Sequence, residues 1–273
     1  MKRKRDNEEI SLASPLDGKL SKTKNRVAAV TLSEIDTVVK AGTTVTTWAI
    51  PLQRIYENSD KRLDASHYDR ETEDALQELE NCGFSLQLLS EMADINLPGQ
   101  FVRIWAKEKA YGIPYVNATD LMSLSAVGAL SGKTRYLSRE TDTDINALVI
   151  HEGWLLLSCS GTIGRVFYVP KRMDGWVATH DLIRIIPKKK VPVGFLHTYL
   201  SSPVAQRQII GYTHGGQIDH VTDKQIANIL VPVLPDETIV DLHSRTMHAL
   251  NMREQAVELL TGIADDIKRV IKK

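Results

Sequence analysis

The chain of 273 residues has only two cysteines, Cys82 and Cys159, and neither lies in a C-x-x-C pair. That excludes a paired metal knuckle and a disulfide framework, and a reduced cytoplasmic setting is expected. No apolar run approaches the ~18 residues needed to span a bilayer, so no membrane partner is expected. The basic start, Met1-Lys2-Arg3-Lys4-Arg5, has no apolar region behind it and is not expected to be a secretory signal. It reads as a nuclear address, a DNA-touching arm or a frayed terminus.

Catalytic fingerprints are also missing. Eight histidines are scattered without an H-E-x-x-H, so no metal site is expected. His180-Asp181 is only a dipeptide beside a strand. Ser158-Cys159-Ser160-Gly161 lacks the G-x-S-x-G elbow and follows a buried-looking strand. Gly128–Thr134 imitates a phosphate-cradling loop, but its spacer is one residue short and Val127 stands at the loop's first glycine position. There is no glycine fingerprint for a dinucleotide or S-adenosylmethionine, and no Asn/Asp-Pro-Pro-aromatic tetrapeptide of amino-methyltransferases. No catalytic residue and no cofactor is expected in this chain.

Net charge is absent too, with 34 basic and 34 acidic side chains, but the signs are segregated. Asp64 to Asp94 holds nine acids and one base, whereas Ser160 to Ile210 holds eight bases and two acids. A basic face beside an acidic one suits a polyanion bound in a fixed orientation; two solvated faces of opposite sign are the plainer alternative.

What is present has three parts. Residues 1–25 are polar, with turn signals at Ser14-Pro15 and Asp17-Gly18, and read as a mobile arm. Residues 26–235 read as one β-rich domain with short helices. Helices are expected over Asp69–Asn81, Ser85–Met92, Phe195–Leu200 and Val204–Ile210. Strands are expected over Phe101–Trp105, Ala147–Ile150, Trp154–Cys159, Arg165–Val169, Trp176–Ala178, Leu182–Ile186 and Ile229–Val233. Trp154–Cys159 is apolar on both faces and so central, whereas Pro232 marks an edge. From Asp236 to Lys273 there is no proline, and apolar residues recur three or four apart, which predicts an amphipathic helix of about 57 Å. Leu250, Val257, Leu260, Ile263, Ile267 and Ile271 lie on its apolar stripe. So long a helix needs a second one from another copy or protein, unless it folds back on its own domain. The fold class is α+β: a β-rich domain followed by one long, coiled-coil-like C-terminal helix.

Six segments, in this order, then carry a resemblance: Arg62–Asp69 (RLDASHYD), Gly112–Leu121 (GIPYVNATDL), Leu155–Arg165 (LLLSCSGTIGR), Phe195–Pro203 (FLHTYLSSP), Gly215–Thr222 (GGQIDHVT) and Ile229–Pro235 (ILVPVLP). Together they resemble one half of the DNA specificity subunit of type I restriction-modification systems. That family joins two target-recognition domains through antiparallel long helices, each domain reading one half of a split site. The resemblance implies a non-catalytic prokaryotic subunit with one target-recognition domain and one long helix, preceded by an unmatched extension at 26–61. The implied partners are double-stranded DNA, an adenine-type methyltransferase that would carry the S-adenosylmethionine, and a restriction/translocase subunit. A second copy, or a different half-subunit, would pair through residues 236–273.

Reading DNA needs side chains at base edges, held in register by phosphate contacts. The candidates for base contact are Lys133, Arg135, Tyr136, Ser160, Thr162, Arg165, His214 and Gln217, all expected on loops. Lys171, Arg172 and Lys188, Lys189 and Lys190 are the candidates for phosphate. Two other readings compete: a protein-protein adaptor or decoy of the same fold, and an enzyme with an unrecognised site.

Overall fold

The computed structural model describes residues 55–56, 68, 70–125, 134–213 and 220–271. The expected arm, nearly all of the extension, and the lookalike loop up to Lys133 therefore lie outside the described residues. The chain divides into two units, Met1–Glu78 and Leu79–Lys273. Helix α1 (Arg70–Glu80) buries Thr72, Ala75 and Leu79, a stripe spaced three and four apart, and keeps its acids on the other side.

Among the described residues, the second unit holds three sheets. The largest runs in the order β2 (Ala93–Asn96), β8 (Leu182–Pro187), β5 (Leu155–Ser158), β6 (Val166–Tyr168), with every pairing antiparallel. Strand β5 is interior and buried along its whole length, as its unbroken apolar run dictates. Leu155 and Leu157 face one core and Leu156 faces another, because successive side chains point to opposite sides of a strand. A second sheet places β3 (Gly112–Val116) between β4 (Arg135–Ser138), antiparallel, and β7 (Val177–Ala178), parallel. A two-stranded sheet pairs β1 (Leu86–Leu88) with β9 (Leu230–Pro232).

Helices cover the Leu155 face of β5. The short α2 (Leu89–Met92), α4 (Val193–Leu200), α5 (Pro203–Gly211) and α6 (Asp223–Ala227) contribute Leu89, Phe195, Leu196, Leu200, Ile209 and Ile226 to that core. Helix α6 begins on a capping box, Thr222 and Gln225 satisfying each other's backbone N–H groups. The 36-residue α7 (Asp236–Ile271) closes the chain and packs on α4. Another helix, α3 (Ala118–Ser125), follows β3.

Arg184 is fully buried on β8 and donates to the carbonyls of Leu148, Ala178, Thr179 and Leu182, at 2.5–3.2 Å. Burial pushes its guanidinium pKa down to about 10. It ties strands and turns together and adds nothing to a basic surface, which corrects its place in the charge count.

Four secondary-structure expectations change. Leu86–Leu88 is strand, not the start of a helix, and only Leu89–Met92 is helical. Phe101–Trp105 makes a single bridge, Trp105 with Leu137. Ala147–Ile150 is mostly a 3-10 turn, Asn146–Leu148, followed by a bridge from Val149 to Val177. Arg135 and Tyr136 lie on strand β4 rather than in a loop. No helix among the described residues is long and apolar enough to cross a membrane.

Candidate nucleic-acid interface

The connection from β5 to β6 is stapled from within. The Ser158 hydroxyl donates to the Thr162 carbonyl (2.6 Å) and accepts the Arg165 N–H (3.0 Å). The Gly164 N–H donates to the Ser158 carbonyl at 3.0 Å. Gly164 has φ +86°, and a Cβ there would stand 2.5 Å from Gln206 Oε1. Only glycine fits both demands. Gln206, on α5, donates to the carbonyls of Gly164 and Leu200, at 2.7 and 2.6 Å. Held this way, the turn leaves Gly161, Thr162 and Arg165 exposed and Ser160 half-buried.

Facing the turn is a wall from the second sheet. At the head of α3 the Asn117 and Asp120 side chains each accept the other's backbone N–H, at 2.7 and 3.3 Å. Arg135 pairs with Asp120 at 3.2 Å, and its guanidinium lies 4.8 Å from the Trp105 ring and 5.5 Å from the Tyr115 ring. Arg103 donates from Nε to the Tyr115 hydroxyl (2.9 Å) and from Nη2 to Thr179 Oγ1 (3.1 Å), with Asp181 at 3.7 Å. Arg103 is thus fixed in the wall, with its charge beside Asp181.

Two clefts meet here. One, about 320 Å³, is lined by Arg103, Tyr115, Asn117, Arg135 and Asp181; the other, about 770 Å³, by Thr162, Arg165, Phe167, Gln206 and Arg253. Both include Ala118, Thr119 and Ser160. The structure thus brings Arg135, Ser160, Thr162 and Arg165 together from two strands' ends. Tyr136 points away from Arg135, beside Lys109 at 5.9 Å. His214 and Gln217, like Lys133, lie outside the described residues.

The phosphate candidates are dispersed. Lys171 and Lys189 are exposed, Lys190 is exposed at φ +100°, and Lys188 donates to the Ser90 carbonyl at 2.8 Å. Arg172 turns inward instead, gripping Glu254 of α7 at 2.5 and 3.4 Å. The sequence reading missed Arg103, Asn117, Asp181 and Arg253. A period of two in Phe101-Val102-Arg103-Ile104-Trp105 was the available signal, since it places Arg103 and Trp105 on one face.

Burial, with Asp181 nearby, pushes the Cys159 thiol up to about 11, so it is protonated at neutral pH and poorly suited to attack. No group of three or more metal-ligating side chains occurs among the described residues.

Residues 88–266 match the family model described as the type I restriction modification DNA specificity domain. The chain belongs to that family. The match spans roughly two thirds of the sequence and takes in both clefts and most of α7. Among solved structures, the chain is similar to the specificity subunit of a type I restriction-modification system from M. genitalium, at 13% identity, TM-score 0.43, covering 68% of this chain and 43% of that one. It is also similar to the HsdS subunit from Thermoanaerobacter tengcongensis, at 15% identity, TM-score 0.43, covering 71% and 50%. A chain from a structure of type I system assembly and conformational transition matches at 16% identity, TM-score 0.45, covering 86% and 55%. The chain therefore spans about half the length of these relatives. No curated protein sequence matches it. The specificity-domain fold supports DNA target recognition, and its mixed sheets followed by one long helix agree with the α+β expectation.

Proposed function

We propose that the chain reads one half of a split DNA site on behalf of a partner adenine-type methyltransferase, and carries no chemistry of its own. The observation that carries this reading is the convergence of Arg135, Ser160, Thr162 and Arg165 on two adjoining clefts, with Arg103 pre-positioned beside them. Residues 26–235 act as the target-recognition domain and 236–273 as the spacer helix. Base edges meet Arg103, Arg135 and the Ser160–Arg165 turn, with Lys133, His214 and Gln217 as further base contacts, whereas Tyr136, turned toward Lys109, is left out of the reading surface. Lys171, Lys188 and Lys189 take phosphates.

S-adenosylmethionine belongs to the methyltransferase, and a restriction/translocase subunit joins the same assembly in the cytoplasm. The outward side of α7 supports pairing with a second copy or another half-subunit. Leu259, Ile263, Ile267 and Ile271, four apart, are 55–77% exposed there, with Val270 beside them. Two identical halves related by a twofold axis would read a symmetric, interrupted site.

The test is selection of duplexes from a randomised pool, followed by gel shift across salt concentrations. Sequence-selective binding that weakens steeply with salt is expected. Failure to retain any duplex, alone or with the methyltransferase, would overturn the reading.

A further inference from the structure

The larger cleft contains a cation that base reading does not use. Arg253 of α7 lines it, its guanidinium 5.6 Å from the Phe167 ring centre. Nε and Nη2 are buried and find no hydrogen-bond partner among the described residues. The carboxylate next to it, Glu254, is engaged by Arg172 through two contacts. Two guanidiniums thus share one carboxylate in a partly desolvated spot, leaving one positive charge in excess. A buried cation without a full counter-charge is costly, and buried donors of this kind call for an acceptor such as an anion. Burial and the neighbouring Arg172 both push the Arg253 pKa below the usual arginine range, with Glu254 opposing them.

The rest of the lining selects the chemistry of that partner. Ser160 and Thr162 bring hydroxyls, Arg165 a second guanidinium, and among the described residues no aspartate or glutamate lines the cleft. That lining disfavours a metal cation and suits a phosphate, whose oxygens accept from guanidinium and hydroxyl donors. The turn that borders the cleft is exposed at Gly161, Thr162 and Arg165, so a polyanion lying on it reaches the cleft from solvent.

We infer that this cleft is a phosphate seat, in which Arg253 of the long helix, beside the turn that carries Thr162 and Arg165, holds one backbone phosphate of the bound duplex. The inference rests on the DNA-reading function proposed above. It makes the spacer helix itself a DNA contact, so that register along the duplex is set from the helix as well as from the recognition domain.

The full chain, as wild type, Arg253→Gln and Arg253→Lys, is compared on a selected and a scrambled duplex between about 50 and 200 mM salt. Arg253→Gln is expected to reduce the slope of log affinity against log salt by about 0.9 for each copy bound, with the selected-to-scrambled ratio unchanged. Arg253→Lys keeps the slope. In a second arm, inorganic phosphate at ionic strength matched to chloride raises the Tm of wild type but not of Arg253→Gln. Arg253-dependent phosphate protection in a chain that binds no duplex would sustain the seat while removing the DNA-reading function. Intact DNA binding with an unchanged slope and no Arg253-dependent protection would overturn the inference and leave Arg253 as packing for Phe167. Loss of partner-protein capture in place of the slope change would also overturn it, by assigning the cleft to a carboxylate. Should Arg253→Gln fail to fold, neutral methylphosphonates placed singly along the duplex decide the matter on wild type. One position must lower the slope by the same amount, and its absence sinks the seat.

Discussion

His197 offers the most quantitative test of how the recognition domain meets the long helix. It sits in the last turn of α4, the helix against which α7 packs. Burial, reinforced by the positive charge of Arg253, pushes its pKa down to about 4 from the ordinary 6.5. A protonated histidine in a helix's last turn gains about 0.3–1 kcal/mol from the helix dipole. That is smaller than the roughly 3 kcal/mol implied by the shift, so desolvation decides the protonation state. Between the folded and unfolded values the unfolded chain binds more protons. Stability from this group is therefore fully present above pH 6.5 and is lost as pH falls through 4. At pH 5 the loss amounts to about 2 kcal/mol, a sizeable part of the roughly 5–15 kcal/mol typical of a domain.

The assay is urea unfolding at pH 7.5 and pH 5.0 for wild type and His197→Gln, with the imidazole followed by NMR. Carboxylates that titrate in the same range weaken both proteins alike, so the difference between the two pH effects isolates His197. The variant should lose about 2 kcal/mol less than wild type on acidification. Equal losses, or an imidazole midpoint near 6.5, would refute the reasoning.

Four further outcomes follow from the same contacts. Gly164→Ala should cost about 2–4 kcal/mol, combining a strained left-handed backbone with displacement of Gln206 from its two carbonyls, and should weaken DNA binding through the turn; a Tm within a degree of wild type would contradict the turn geometry. Arg165→Ala should weaken or relax DNA selection by about 1–3 kcal/mol if it meets a base, and unchanged selection would make it structural. A double-mutant cycle on Arg172 and Glu254, measured by denaturation, should give a coupling of about 1–2 kcal/mol because the pair is mostly covered; a coupling near zero would mean solvent screens it. Glutamine at Leu259, Ile263 and Ile267 should reduce the mass seen by light scattering to one chain without changing the Tm of the recognition domain, and an unchanged mass would reject the proposed pairing face.

Much of the fold was legible where its causes are local. The unbroken apolar run of β5, the glycine-bearing turn after it and the period of α7 each announce themselves within a few residues. The misread elements depend on partners far along the chain. Leu86–Leu88 has helical neighbours and becomes strand only by pairing with Leu230–Pro232. Arg135 and Tyr136 enter a strand because Gly112–Tyr115 lies beside them. The candidate site divides in the same way. Arg165 and Thr162 follow from the turn that displays them, whereas Arg103 depends on Tyr115, Thr179 and Asp181 for its position. Arg172 looked like a surface cation because Glu254, its partner, stands 82 residues away.

The long helix changes most between sequence and structure. Its apolar period left open a stripe for a second helix, with Leu250 on it, or a fold back onto its own domain. Leu250 instead belongs to the recognition domain's own core, with Ile239, Leu242 and Met247 packed against that core. Gly194 fixes the approach of α4: its N–H donates to His243 Nδ1 at 3.0 Å, and a Cβ there would meet the His243 carbonyl at 2.7 Å. Thr198 bonds Thr246 one turn further on, and Arg172 grips Glu254 two turns beyond that. The first half of α7 is thus a wall of the domain, with Val240 and Met252 exposed on its outer side, and most of the outward apolar side chains fall in the distal half. A flexible tether would let the recognition domain swing and would blur any fixed spacing between two half-sites. Attachment through buried apolar contacts, a close backbone approach and a covered ion pair resists that swing over about five helical turns. In a dimer built through the distal face, the distance between half-sites would then follow from where the helix docks on its own domain. Loosening that dock, by Gly194→Val for instance, should relax the spacing preference before it relaxes the choice of bases within either half.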